Sequence, residues 1–385
     1  LKKILVIFGT RPEAIKMAPV VLRLQEAPAL QVKVAVTAQH RHMLDQVLEI
    51  FGIKPDYDLD IMSDDQDLFD ITSRALLGLE EVLRREHPDL VLVHGDTTTT
   101  FVAALAAFYL MIPVGHVEAG LRTRDKHRPF PEEINRHLAA VLTDYHFAPT
   151  PWARDNLLAE GVAPERIWVT GNTVIDALQI VARQVSQEQE KWEKYFAQQY
   201  RLSFNGKRLI LVTGHRRENF GPGFQNICWA LREVVEAFPD VLVVYPVHLN
   251  PNVQRPVNEI LGPVSMGAGA GPGSRLALLP PLEYAPFVYL LSQSYLVLTD
   301  SGGIQEEAPA LGKPVLVMRD VTERPEGVWA QTVKLVGTAR EKIFKETKEL
   351  LENPASYQTM AQARNPYGDG QAAVRIVQII EQDFS

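Results

Sequence analysis

Short β-branched and aliphatic runs alternate with longer helix-period segments along nearly the whole chain, and no other feature narrows the fold as much. A strand joined to its neighbour through a helix pairs with it in parallel, so the pattern predicts an α/β class of parallel sheets with helices on both faces. In the first half, strands are expected at 3–8, 32–37, 90–94, 113–117, 146–148 and 167–169, with helices between them such as 13–25 and 97–110. The second half repeats the scheme, with strands at 209–213, 241–245, 276–278, 295–299 and 315–317. From Val174 to Tyr200 the chain turns polar and rich in Gln and Glu, and a domain boundary is expected there. The small, Gly/Pro-rich segment 262–273 reads as a surface loop, and the last helix, 371–382, has the pattern to pack on either domain.

At 385 residues the chain exceeds one ordinary domain; typical sizes suggest about two or three. Its 46% hydrophobic and 22% charged residues suit a globular protein rather than a disordered, collagen-like or membrane chain. The formal charge of −8 gives no positive field to hold nucleic acid or acidic lipid, so an anionic ligand needs a local basic pocket. One cysteine, Cys228, forms neither an intramolecular disulfide nor a thiolate metal cluster. No uncharged apolar run reaches the roughly 18 residues of a membrane span, and the first apolar stretch, 4–8, is too short for a secretory leader. A cytoplasmic protein is expected, without membrane insertion.

In open parallel sheets, ligands bind beyond the carboxyl ends of the strands, where helix N-termini present free N–H groups. The turns after the expected strands are Gly9-Thr10-Arg11, Gly95-Asp96-Thr97, Glu118-Ala119-Gly120, Gly214-His215-Arg216-Arg217 and Asp300-Ser301-Gly302-Gly303. They are rich in glycine and in ionisable groups, so both halves can contribute to one cleft. Ser301-Gly302-Gly303 before a helix reads as a phosphate cradle or as an ordinary tight turn. Glu307, one helical turn on, can accept hydrogen bonds from a ribose diol. Arg11, Lys16, His215, Arg216, Arg217 and Arg324 can neutralise a diphosphate or can be solvated surface charges. Asp96, Glu118 and Glu132 stand where acid/base work is possible, while Asp96, Glu132 and Glu133 can equally cap the helices that follow them. The first turn lacks the three-glycine dinucleotide fingerprint, which argues against a tightly held nicotinamide. The histidines and the acidic run at 64–67 do not form metal-ligand spacings, so no metal is expected.

Taken together, the segments 9–19 (GTRPEAIKMAP), 37–41 (TAQHR), 94–97 (HGDT), 116–123 (HVEAGLRT), 214–221 (GHRRENFG) and 301–307 (SGGIQEE) resemble the bacterial non-hydrolysing UDP-N-acetylglucosamine 2-epimerases, and the resemblance runs on to Asn365-Pro366-Tyr367-Gly368-Asp369-Gly370. It implies a glycosyltransferase-B-like fold of two Rossmann-like domains facing across a cleft. The acid/base domain would span residues 1–172 and be rejoined by the final helix, 366–385; the UDP-binding domain would span 173–365. It implies reversible interconversion of UDP-GlcNAc and UDP-ManNAc without NAD or metal, a homodimer, and activation by UDP-GlcNAc bound beside the catalytic site.

The resemblance places catalytic groups at Asp96, Glu118, Glu132 and His215. It places substrate contacts at Arg11, Lys16, Ser301, Gly302, Gly303, Glu307 and Arg324, with Phe287 near the uracil. Activator contacts are implied at Gln39, His40, Gln46, Arg74 and His248. The segment 262–273 departs from the family pattern by its length.

Overall fold

The structure is a computed structural model that describes residues 1–38, 41–63, 66–204, 206–263 and 275–384, with the backbone alone at 41–43. The chain divides into two compact units: residues 1–179 with 367–385, and residues 180–366.

The first unit is built on a seven-stranded parallel sheet. Its strands are β1 (Lys2–Phe8), β2 (Leu30–Val36), β3 (Tyr57–Asp58), β4 (Leu90–His94), β5 (Val114–Val117), β6 (Tyr145–Ala148) and β7 (Ile167–Val169), in the order β3-β2-β1-β4-β5-β6-β7. The reversal between β1 and β4 is the Rossmann arrangement, and ligand-binding turns gather at such a reversal. The central strands are apolar throughout because helices cover both faces: Ile4 to Phe8 and Leu90 to Val93 are all buried. One layer of the core joins Leu5, Ile7, Val91 and Val93 to the helices Leu68–Glu86 and Thr98–Tyr109 through Leu79, Leu83, Val102 and Ala106.

The second unit repeats the plan with β8 (Arg208–Thr213), β9 (Val241–Pro246), β10 (Leu276–Leu279), β11 (Ser294–Thr299), β12 (Val315–Val317) and β13 (Val333–Leu335). Their order is β10-β9-β8-β11-β12-β13, all parallel. Ile210, Val212, Val243, Leu296, Leu298 and Leu316 pack on the helix Pro222–Ala237 through Phe224, Ile227, Cys228, Leu231 and Val234.

The expected class and strand order of appearance hold, with two additions. β3 and β13 lie at sheet edges and each carries a charged residue, Asp58 or Lys334, so neither shows an uninterrupted run of β-formers. The polar stretch after Val174 is two helices, Thr173–Gln187 and Gln189–Tyr200, and the division between units falls within the first. The last helix, Ala372–Phe384, belongs to the first unit, where the N–H groups of Ala372 and Ala373 donate to the Asp176 carboxylate at 3.2 and 2.9 Å. Burial raises the Asp176 carboxyl to about 6, against those two donors. The expected loop at 262–273 lies, from residue 264 on, outside the described residues.

Candidate functional site

Glu118 follows β5 in a left-handed backbone conformation, φ +64°, and its side chain is 9% exposed. The ammonium of Lys16, from the helix Arg11–Gln25, pairs with its Oε2. Asn172 Nδ2 donates to the same oxygen at 2.9 Å, and His94 Nε2 stands 3.8 Å from it at the end of β4. Burial lowers the His94 imidazole to about 4, a change that Glu118 opposes and Lys16 reinforces, so the ring is neutral near pH 7. Among the described residues, neither of its ring nitrogens has a hydrogen-bond partner. Three backbone torsions set this corner: Gly95 at φ +70°, Glu118 at +64° and Gly120 at +91°. A Cβ on Gly120 would lie 2.2 Å from the Ala153 carbonyl oxygen in the helix Pro151–Ala159, so the turn can approach that helix only without a side chain.

Glu13, unremarked in the sequence, ties two of these turns together. Its buried carboxylate accepts from the N–H groups of Gly9 (3.1 Å) and Thr10 (2.8 Å), and from the hydroxyls of Thr97 (2.8 Å) and Thr100 (3.2 Å). Burial raises its pKa, partly offset by those donors.

The capping alternatives resolve against the side chains proposed for them. Thr97, not Asp96, is the N-cap of Thr98–Tyr109, accepting from Thr100 N at 3.2 Å; a hydroxyl one residue on reaches the free N–H groups, whereas Asp96 turns to the Arg136 guanidinium. Neither Glu132 nor Glu133 caps Glu132–Leu142, because both lie inside the helix after Pro131. Glu133 instead accepts from Thr123 N at 3.0 Å, Arg124 N at 2.8 Å and Arg136 at 3.1 Å. Burial pushes its pKa up, but the Arg124 and Thr123 N–H groups and the Arg136 charge outweigh it and leave the group below the ordinary range. Glu132 keeps a buried Oε2 with no hydrogen-bond partner among the described residues.

In the second unit, Asp300 is fully buried beyond β11 and organises the turn after β8. It accepts from His215 N at 2.9 and 3.0 Å, Arg216 N at 2.9 Å and Asn219 Nδ2 at 3.1 Å, while His215 Nδ1 lies 3.6 Å away. The His215 side chain is 40% exposed and stacks on His248, with ring centroids 5.5 Å apart. Burial lowers its pKa against the pull of Asp300.

Ser301 precedes the helix Gly302–Ala310, and its hydroxyl makes no cap bond there. A Cβ on Gly302 would come within 2.5 Å of Arg324 Nη1. Arg324 pairs with Glu306 and, at 3.0 Å, with Glu323, which also takes Arg216 at 2.9 Å and Arg319 at 2.6 Å. Burial raises the Glu323 carboxyl, but Arg324, Arg216 and Arg319 together bring it down to about 2. Two of the basic residues expected to meet a diphosphate, Arg216 and Arg324, are thus held in an ion-pair network with neighbouring carboxylates.

Among the remaining expected residues, Arg11 opens its helix half-buried, Phe287 is half-buried in Tyr284–Gln293, and Glu307 is half-buried, its Oε1 3.6 Å from where a Cβ on Gly303 would lie. Gln46 is half-buried on Arg41–Phe51; Arg74 is exposed and donates to Ser63 Oγ at 2.7 Å; His248 is exposed. Gln39 and His40 lie outside the described residues. The sequence reading passed over His94, Asn172, Arg136, Glu133 and Asp300 as site residues. Asp300 alone carried a local signal, its place immediately after a strand and before the glycines.

The family described as UDP-N-acetylglucosamine 2-epimerase matches the chain over residues 22–381. The UDP-N-acetylglucosamine 2-epimerase of Escherichia coli strain K12 is 56% identical over 381 residues, 99% of each chain. That of Salmonella typhimurium is 56% identical over 379 residues, 98% of each. The crystal structure of the Neisseria meningitidis UDP-GlcNAc 2-epimerase, bound to UDP-GlcNAc, superposes with a TM-score of 0.87 at 50% identity, covering 99% of this chain and 100% of that one.

Proposed function

The chain belongs to the UDP-N-acetylglucosamine 2-epimerase family, and on that premise we propose that this isomerase converts UDP-GlcNAc reversibly to UDP-ManNAc by eliminating UDP and adding it back. The C2 hydrogen of the bound sugar is not α to a carbonyl, so a side-chain base cannot remove it from the resting substrate. Departure of UDP from C1 gives that carbon oxocarbenium character and acidifies C2. Loss of the C2 proton then leaves 2-acetamidoglucal and UDP. Re-addition of UDP, with a proton delivered to the opposite face of C2, gives the epimer.

Inversion requires acid/base groups on both faces of C2, and each contributes on the order of 10² to 10⁴ in rate. We assign these roles to Asp96, Glu118 and Glu132. His215 stabilises or protonates the departing diphosphate, with Arg11 and Lys16 adding positive charge. Ser301, Gly302, Gly303, Glu307 and Arg324 hold the UDP, and Phe287 lies by the uracil. On this reading the first unit is the acid/base domain and the second the UDP-binding domain. The observation that carries the assignment is the setting of Glu118: a mostly buried carboxylate at a strand's carboxyl end, paired with an ammonium and facing a neutral imidazole.

The reaction needs neither nicotinamide nor metal, because the substrate's own leaving group supplies the activation. Gln46, Arg74 and His248, with Gln39 and His40, are proposed contacts for an activating UDP-GlcNAc. A homodimer is proposed on the apolar residues that Leu68–Glu86 and the segment around Thr98–Tyr109 leave exposed: Phe69, Leu77, Phe108, Tyr109 and Met111. The proposed product supplies ManNAc for cell-surface polysaccharide, and the cytoplasm is the proposed place of action. Among the described residues, no helix is long and apolar enough to cross a membrane.

Incubation with UDP-GlcNAc in D₂O tests the mechanism. Deuterium is expected at C2 of both product and recovered substrate; epimerisation with no solvent deuterium at C2 would overturn it.

A further inference from the structure

We infer that Asn172 is a positioning residue for Glu118, and that the chain returning from the second unit holds it in that role. The inference rests on the reading of Glu118 as a catalytic carboxylate. Asn172 is 3% exposed and both ends of its carboxamide are engaged. Its Oδ1 accepts from Val174 N at 3.1 Å at the start of Thr173–Gln187, which leaves Nδ2 to donate to Glu118 Oε2 at 2.9 Å. With the acceptor end committed to backbone, only the donor end can face the carboxylate.

Its backbone is fixed from the other side. The chain re-enters the first unit at Tyr367, whose carbonyl accepts from Asn172 N at 2.7 Å. Two glycines shape this approach through their torsions: Gly171 has φ +91° and Gly368 +141°, values that favour glycine, while a Cβ on either would make ordinary contact, 3.4 Å from Gly368 Cα and 3.5 Å from Asn172 N. Asn172 therefore links the segment where the chain returns to the oxygen that Lys16 also holds. The ionisable groups facing Glu118 include Lys16 from the first helix, His94 from β4 and His116 from β5. A donor removed from this set leaves the carboxylate less firmly aimed; an acceptor put in its place repels it.

The test is Asn172→Asp. Aspartate caps a helix as well as asparagine and has nearly the same size, so the structural role survives while a second carboxylate faces Glu118. The expected result is kcat lower by about tenfold or more, with the acid limb of the kcat/KM profile moved up by about one pH unit. UDP affinity, measured by calorimetry, should stay within about twofold. Asn172→Ser, which keeps a capping oxygen but cannot reach Glu118, should lose kcat about tenfold and supplies the test if the aspartate variant does not fold. A folded variant of either kind with unchanged kcat and an unchanged pH profile would show that Asn172 serves the helix alone and would overturn the inference. Absence of C2 exchange in the unmodified protein would instead sink the elimination mechanism and leave this test unread, so that control is run first.

Discussion

The carboxylate of Asp300 receives the backbone N–H of His215 on both of its oxygens, at 3.0 and 2.9 Å. Asp300 also takes the next N–H and the Asn219 carboxamide, so one buried side chain sets the course of the turn that presents the imidazole. Asp300→Asn retains the shape but replaces one acceptor oxygen with a donor facing N–H groups. The expected outcome is a fall in kcat of about tenfold or more, with a smaller change in KM, measured by steady-state kinetics on UDP-GlcNAc. An unchanged kcat would show that the turn keeps His215 in place without it.

Lys16 and Glu118 form an ion pair whose side chains are 17% and 9% exposed. Removing one partner strands the other in a poorly solvated place, which costs about 3–5 kcal/mol for a fully buried pair and less here, where Asn172 still donates to the carboxylate. Lys16→Met is expected to destabilise by about 1–3 kcal/mol. Lys16→Met with Glu118→Gln should recover most of that loss in urea titration. If the two effects simply add, the pair contributes nothing specific to stability.

Gly302 leaves room for Arg324, whose Nη1 would lie 2.5 Å from an added Cβ. The obstructing atoms, of the Arg324 guanidinium and of the Glu323 carboxylate at 2.9 Å, are the far ends of long side chains, so Gly302→Ala should fold normally while displacing the guanidinium from Glu306 and Glu323. UDP binding is expected to weaken by about tenfold, with the melting temperature changed by only a few degrees. Full affinity in calorimetry would remove Arg324 from the proposed diphosphate contacts.

Acid should act on the first unit through buried imidazoles. Burial lowers His94 and His116 to about 4 and His146 to about 3. Because the folded values lie below the unfolded value of about 6.5, their contribution is present above pH 6.5 and is lost as the pH falls towards 4. Asp176 and Glu13, raised by burial, act in the opposite direction. The discriminating measurement is therefore a difference between proteins. His146→Gln should reduce the loss of stability between pH 7.5 and pH 5 by about 2 kcal/mol, whatever it costs at both values. Parallel stability curves for the two proteins would contradict the buried, neutral state of His146.

The exposed rings and methyl groups of Phe69, Leu77, Phe108 and Met111 are the apolar surface that a second copy would cover. Phe108→Asp is expected to shift sedimentation from dimer to monomer at micromolar concentration. A wild-type protein that sediments as a monomer would remove the dimer from the reading.

The parallel class, nearly all strands and the chemistry-bearing turns were legible because each depends on neighbours in sequence. Ile4 to Phe8 advertises a strand buried on both faces, and the glycines at 9, 95 and 214 punctuate their strands locally. Partners were not legible. Lys16 meets Glu118 across 102 residues, and Asn172 reaches the same oxygen across 54, through contacts that only the assembled sheet creates. The same cause hid the pairing of Arg324 with Glu306 and the stacking of His215 on His248. Glu13 went unremarked because nothing near it in sequence announces the five donors that converge on it from two turns.

The glycine two residues beyond Glu118 bears on how this protein can vary. At Gly120 every alternative amino acid collides with fixed main chain at 2.2 Å, whereas Gly161, with a similar torsion of +86°, meets nothing within 4 Å. A saturation library should therefore accept asparagine or aspartate at 161 and almost nothing at 120. Attempts to re-engineer the enzyme for another sugar would have to work around that immovable corner.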